Sequence, residues 1–212
     1  MNLGLKTSYS HFIKSSEFEK ITPDNKLCQY LLKKHELQNW IDIENELKLY
    51  SIKVKNSDSD FHGDYTSLVR TLIKYLDNIE YNYRRNSKAY HLFSSLKNSN
   101  TLIIDFNYTP TIKNLLQDWL NENINFGNFE HIKIHGSLLD ENLIFGVEDS
   151  ANIATEYVYL KKSFYPNYEA LNISTILNNC DRCHFFGHSL GETDHHYFSN
   201  FFDTTSNDLP KY

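Results

Sequence analysis

Three short stretches carry residues suited to chemistry. FNYTP, residues 106–110, places an amide, two hydroxyls and a proline behind the apolar run TLIID. At the carboxyl end of a strand the Asn107 amide could hold a sugar hydroxyl or orient a water; equally, Asn or Thr before Pro110 suits the capped start of a helix. HIKIHG, residues 131–136, ends on His135 and Gly136. A histidine there suits a general base near neutral pH, with glycine leaving room beside it, or a structural hydrogen-bonder. FFGHSLGETDHHYF, residues 185–198, is the densest of the three. Gly187 and Gly191 permit tight turns, Ser189 offers a hydroxyl, and Thr193 or Asp194 could cap a following helix. Backbone N–H groups at such a helix start suit a phosphate or another anion. Glu192 and Asp194 would repel a phosphate set too near them, which turns one carboxylate towards ribose hydroxyls.

GHSLG fits the nucleophile-elbow pattern G-x-S-x-G, yet its strand follows the other corners and no triad in the order Ser, acid, His comes after it. Cys180-Asp181-Arg182-Cys183-His184 fits the pattern of covalent haem attachment, a chemistry of exported proteins, and the chain shows no leader. A strand over HFF sets Cys183 and His184 on opposite faces, so Cys180, Cys183 and His184 are expected to stay apart. His195 and His196 would diverge by about 100° around a helix. No metal is expected. One more polar cluster, Trp40-Ile41-Asp42-Ile43-Glu44, reads either as a solvated helix start or as acids turned towards the site.

The elements that must position these corners change character near residue 100. Between Leu68 and Leu96, apolar positions at Leu68, Leu72, Leu76, Ile79, Tyr83, Tyr90, Phe93 and Leu96 describe one face of a long helix. NKLCQYLLKKHELQNW and IDIENELKLY read as two shorter helices, and KNSDSDFHGD as a loop. Residues 25–98 are therefore expected to be mainly helical. Beyond them, parallel strands are expected near 101–106, 131–135 and 183–187, with LIFG (143–146) another short apolar run stopped by glycine. Strands that end in polar or Gly-rich corners and alternate with helices predict an α/β domain, whose ligands bind at the carboxyl edge of the sheet. With 212 residues, 40% of them hydrophobic and 23% charged, the chain forms one globular domain over 1–212, with 99–202 as its α/β portion. A net charge of −6 argues against nucleic acid as a partner. No run approaches the roughly 20 apolar residues of a membrane span. A cytoplasmic location follows, and three cysteines set no disulfide framework.

Taken in order, FNYT, IHG, IFG and GHSLGETDHHYF, with NWIDIE and the early TSYSHF, resemble the AbiH family of bacterial abortive-infection proteins over nearly the whole chain. That family is similar, more distantly, to sirtuin-type NAD-binding domains. The resemblance implies a three-layer, Rossmann-like parallel sheet with residues 25–98 as a large helical insertion. It implies NAD or a related nucleotide as ligand or substrate, a phage-derived trigger, and no metal. Carried over, Asn107 matches the Asn beside the nicotinamide ribose and His135 the base towards a ribose hydroxyl. Gly187 and Ser189 match the corner on the adenosine side, and Asp194 is characteristic of AbiH. Such a site would cleave the nicotinamide–ribose bond in the manner of an NAD glycohydrolase. The family's opening strand and Gly-Asn-Gly-Phe-Asp loop have no counterpart here, because Met1-Asn2-Leu3-Gly4-Leu5 resembles the segment after that loop. The resemblance thus implies little NAD binding by this polypeptide and, as the alternative, a non-catalytic, truncated remnant or sensor module of the same family.

Overall fold

The computed structural model describes residues 5–38, 42–54, 60–79, 85–124, 127–139, 143–165, 173–186, 197–198 and 201–202. Among the described residues, six α-helices come first: α1 (Leu5–Ile13), α2 (Ser16–Ile21), α3 (Lys26–Gln38), α4 (Ile43–Val54), α5 (Phe61–Asp77) and α6 (Lys88–Leu96). A β-α-β unit follows, built of β1 (Thr101–Asp105), α7 (Thr111–Asn121) and β2 (Phe129–Lys133), and later α8 (Ile173–Asn178). Among the described residues, no helix is long and apolar enough to cross a membrane.

The described residues within 25–98 are mainly helical, as expected, with two corrections. The face read as one long helix from Leu68 to Leu96 belongs to two. Helix α5 ends at Asp77, where the Asn78 N–H turns back to the Lys74 carbonyl, and α6 starts afresh on Ser87, whose hydroxyl accepts the Tyr90 N–H at 3.2 Å. A serine cap that satisfies an orphan donor outweighs helix continuation through the polar Arg84–Lys88 patch. Likewise FHGD is no loop: Asp60 accepts the Gly63 N–H at 2.9 Å and launches α5, which buries Phe61, Tyr65, Leu68, Leu72 and Leu76.

β1 and β2 pair in parallel from Thr101↔Phe129 to Asp105↔Lys133, and the Ile134 N–H extends the ladder to the Asp105 carbonyl. The α/β character is therefore present, in a chain dominated by helices. Two cores sit about it. The larger joins α1–α5 to Tyr108, Leu138, Leu143, Phe145, Val147 and Leu160; the smaller joins Phe106 and Ile134 to Ile173, Leu177, Tyr197 and Phe198.

The strand expected at 183–187 is not formed over its described part. Residues 182–186 carry no regular structure and are exposed, Phe185 by 41% and Phe186 by 45%. A strand inside a parallel sheet is buried on both faces, and this segment is not. LIFG is buried but is not a strand either. Its carbonyls are taken by tyrosine hydroxyls instead of a ladder: Tyr108 donates to Ile144 at 3.1 Å, and Tyr65 and Tyr165 both donate to Phe145. Burial pushes the Tyr65 and Tyr108 hydroxyls well above their ordinary pKa, so they remain protonated donors.

Gly146 closes this segment because backbone passes directly over it. A Cβ there would lie 2.1 Å from the Leu160 carbonyl oxygen, which is backbone and has no flexible end to yield. Gly146→Ala is expected to cost about 1–3 kcal/mol. Urea denaturation measures this, and an unchanged midpoint would show that the crossing relaxes freely.

Candidate functional site at the carboxyl edge of the sheet

Parallel pairing brings Asn107 and His135 to one edge, each two residues beyond its strand. They belong to different polar clusters there. The outer one is centred on Asp105, which is 6% exposed. Its Oδ1 accepts both the backbone N–H of Asn107 (2.9 Å) and its amide (3.0 Å). Its Oδ2 accepts from Lys133 at 2.9 Å and lies 3.1 Å from His131 Nε2. Lys133 also donates to the carbonyls of Asn107 and Thr109, tying the corner to β2. Burial alone would raise the Asp105 pKa; the bonds from His131, Lys133 and the Asn107 N–H prevail and hold it at about 2. Asn107 itself is exposed. Capping is not its role, since α7 follows Pro110 with no side-chain cap bond.

The inner cluster holds His135, which is 2% exposed. Gly136 follows at φ 72°, in the left-handed region that favours glycine, so the turn itself requires it. His135 Nε2 lies 3.2 Å from Lys162 Nζ, and Lys162 lies 3.2 Å from Glu44 Oε2. Lys162 is 1% exposed and Glu44 7%. The open reading of the 40–44 cluster is thereby divided between its acids. Asp42 accepts the Asn45 N–H at 3.2 Å in the first turn of α4, whereas Glu44 turns inward and joins the site. The rings of Phe106 and Tyr108 stand 5.6 and 6.2 Å from the imidazole.

Gly187, Ser189 and Asp194 lie outside the described residues, as do His195 and His196. Among the described residues, no group of three His, Cys, Asp or Glu side chains could hold a metal ion. Cys180 and Cys183 are both exposed, and the Cys180 thiol donates to the Leu177 carbonyl at 3.1 Å just past α8. Cys28 is buried in the helical core, and burial pushes its thiol up to about 12, far from a reactive thiolate. A cleft of about 400 Å³ lined by Lys26, Gln29, Tyr30, Lys33, Tyr50, Lys53 and Val54 opens on α3 and α4 and shares no residue with either cluster.

Lys162, Asp105, His131 and Lys133 are the members of this edge that the sequence motifs pass over. One signal was present: in HIKIH the polar positions 131, 133 and 135 alternate, which points one face of a strand at polar partners.

No curated protein and no solved structure matches the chain. The model of the family described as bacteriophage abortive infection AbiH matches residues 1–209. The chain belongs to the AbiH family and, with it, to bacteriophage abortive infection.

Proposed function

We propose that the carboxyl edge of this sheet is the NAD or related nucleotide site of the AbiH family, where its members, once a phage-derived signal triggers them, hydrolyse the nicotinamide–ribose bond, and that this chain keeps a weak form of it. The observation that carries this reading is the parallel register, which sets Asn107 and His135 at equivalent positions beyond adjacent strands, where α/β sheets bind ligands. In this reading the single domain 1–212 is three-layered and Rossmann-like, with residues 25–98 inserted as a helical unit. Gly187, Ser189 and Asp194 line the adenosine side. The exposed Asn107, held by Asp105, orients the ribose or the attacking water. Bond cleavage leaves oxocarbenium-like charge on the ribose and neutral nicotinamide; water adds to the ribose carbon and releases a proton, giving ADP-ribose. No metal takes part.

A second reading, a non-catalytic sensor or interaction module, is favoured by the burial of His135 and by the ammonium set against its Nε2. Saturation-transfer NMR, which registers weak complexes, separates the two. NAD is expected to respond, and Asn107→Ala to weaken binding about tenfold, the worth of one hydrogen bond. A response that Asn107→Ala leaves intact removes the site, and none from NAD, ADP-ribose or ATP leaves the module.

A further inference from the structure

We infer that Lys162, anchored by Glu44, is a positioning residue that fixes His135 as a neutral imidazole with its proton on Nδ1, so that His135 meets a ligand as a hydrogen-bond donor and not as the base. The tautomer stands on the geometry alone; the role towards a nucleotide rests on the function proposed above.

Three elements meet at Lys162 Nζ: α4 through Glu44, the chain beyond β2 through His135, and the segment after Leu160 that carries the lysine itself. An ammonium has three donors and no acceptor, so at 3.2 Å from Nζ the His135 Nε2 supplies the lone pair. A neutral imidazole that accepts at one nitrogen carries its proton on the other. The competing arrangement would move a proton from Lys162 to His135, leaving an amine beside an imidazolium. Glu44 opposes that transfer, because its carboxylate lies 3.2 Å from Nζ and stabilises charge there. The hydroxyls of Tyr65, Tyr108 and Tyr165, which also feel Glu44, are held protonated by burial and add no competing anion.

The backbone holds the two residues at this distance. The Ile144 N–H donates to the His135 carbonyl at 2.9 Å, and the Lys162 N–H donates to the Val147 carbonyl at 3.0 Å. Val147 in turn donates to Leu160, across the crossing that Gly146 permits. Residues 144–147 therefore clamp both sides of the His135–Lys162 contact.

Nitrogen-15 NMR of the histidine rings tests this on the ligand-free full chain. His135, identified by the signals missing in His135→Gln, is expected to show a protonated Nδ1 and the downfield signal of an unprotonated Nε2. That is the minor tautomer of histidine in water, so it reports a local cause. Lys162→Met is expected to lose the pattern and shift the proton towards Nε2. Should that variant not fold, the double variant Glu44→Leu/Lys162→Met, which removes the donor without stranding a charge, is expected to show the same loss. A wild-type His135 with its proton on Nε2, or protonated on both nitrogens, overturns the inference, as does an Nδ1–H pattern that survives removal of Lys162. Because no nucleotide is present, failure of NAD binding would sink the proposed function and leave the tautomer standing. Binding to a chain whose His135 carries Nε2–H would do the reverse.

Discussion

Lys162→Met is expected to destabilise the folded chain by about 3–5 kcal/mol, the largest effect of any single change at this edge. The lysine is 1% exposed and its partner Glu44 7%, so neither charge has water to fall back on. Removing the ammonium leaves the Glu44 carboxylate buried without its cation and takes the donor from His135 Nε2. The intact pair is not for that reason a large source of stability: desolvating two ions consumes most of what their attraction returns, and well-packed apolar replacements are often neutral or better. Glu44→Leu on the Lys162→Met background is therefore expected to recover most of the loss. Urea denaturation of the wild type, both single variants and the double variant gives the coupling directly. Additive losses would mean that Glu44 and Lys162 do not share a buried site, and a single loss under 1 kcal/mol would mean that water reaches them. What the pair contributes is a fixed His135, which gives a physical reason to keep an ion pair where apolar residues would hold the fold as well.

The path from sequence to this edge shows which parts are locally encoded. Helical periodicity, the βαβ unit and the strand-end placement of Asn107 and His135 follow from short-range pattern, because side-chain period and corner residues lie within a few positions of one another. Ser87 and Asp60 are local signals too, yet they act by ending or starting a helix against the apolar pattern, and periodicity alone overrides them. Lys162 is different in kind. KKSF carries no spacing that marks its second lysine for burial; the residue goes inside only because the Leu160 backbone crosses Gly146 and hands it to Glu44, 118 positions earlier (162 − 44). LIFG misleads for a similar reason. Its apolar run promises a strand, but its carbonyls find the hydroxyls of Tyr65, Tyr108 and Tyr165, partners from distant parts of the chain that no local window contains. Asp105 is overlooked because it ends an apolar strand, and its role depends on a register that sets it opposite Lys133.

That register makes the outer cluster an acid-sensitive tie. The Asp105 carboxyl is held at about 2 against an ordinary 3.8, so the folded chain binds this proton less readily than the unfolded chain, by about 2 kcal/mol. A depressed carboxyl contributes its stability above the unfolded value and loses it as pH falls through the folded one; the contribution is whole at pH 6, fades from about pH 5 and is gone below about pH 2. Other carboxyls titrate in the same range, so the wild-type curve alone cannot assign the loss. The comparison with Asp105→Asn does. At pH 6 the variant is expected to be less stable by about 2 kcal/mol or somewhat more, since Lys133 and His131 lose their shared acceptor charge. As pH falls from 5 towards 2 the wild type gives up its advantage while the variant has no proton to take at this position, so the gap between them should narrow steadily. Guanidinium denaturation at pH 6, 5, 4, 3 and 2 reads that gap, with high salt keeping surface charges screened throughout. A gap that stays constant across the series would mean that Asp105 holds the corner by shape alone, and that the bonds drawn to it from Asn107 and Lys133 do not depend on its charge.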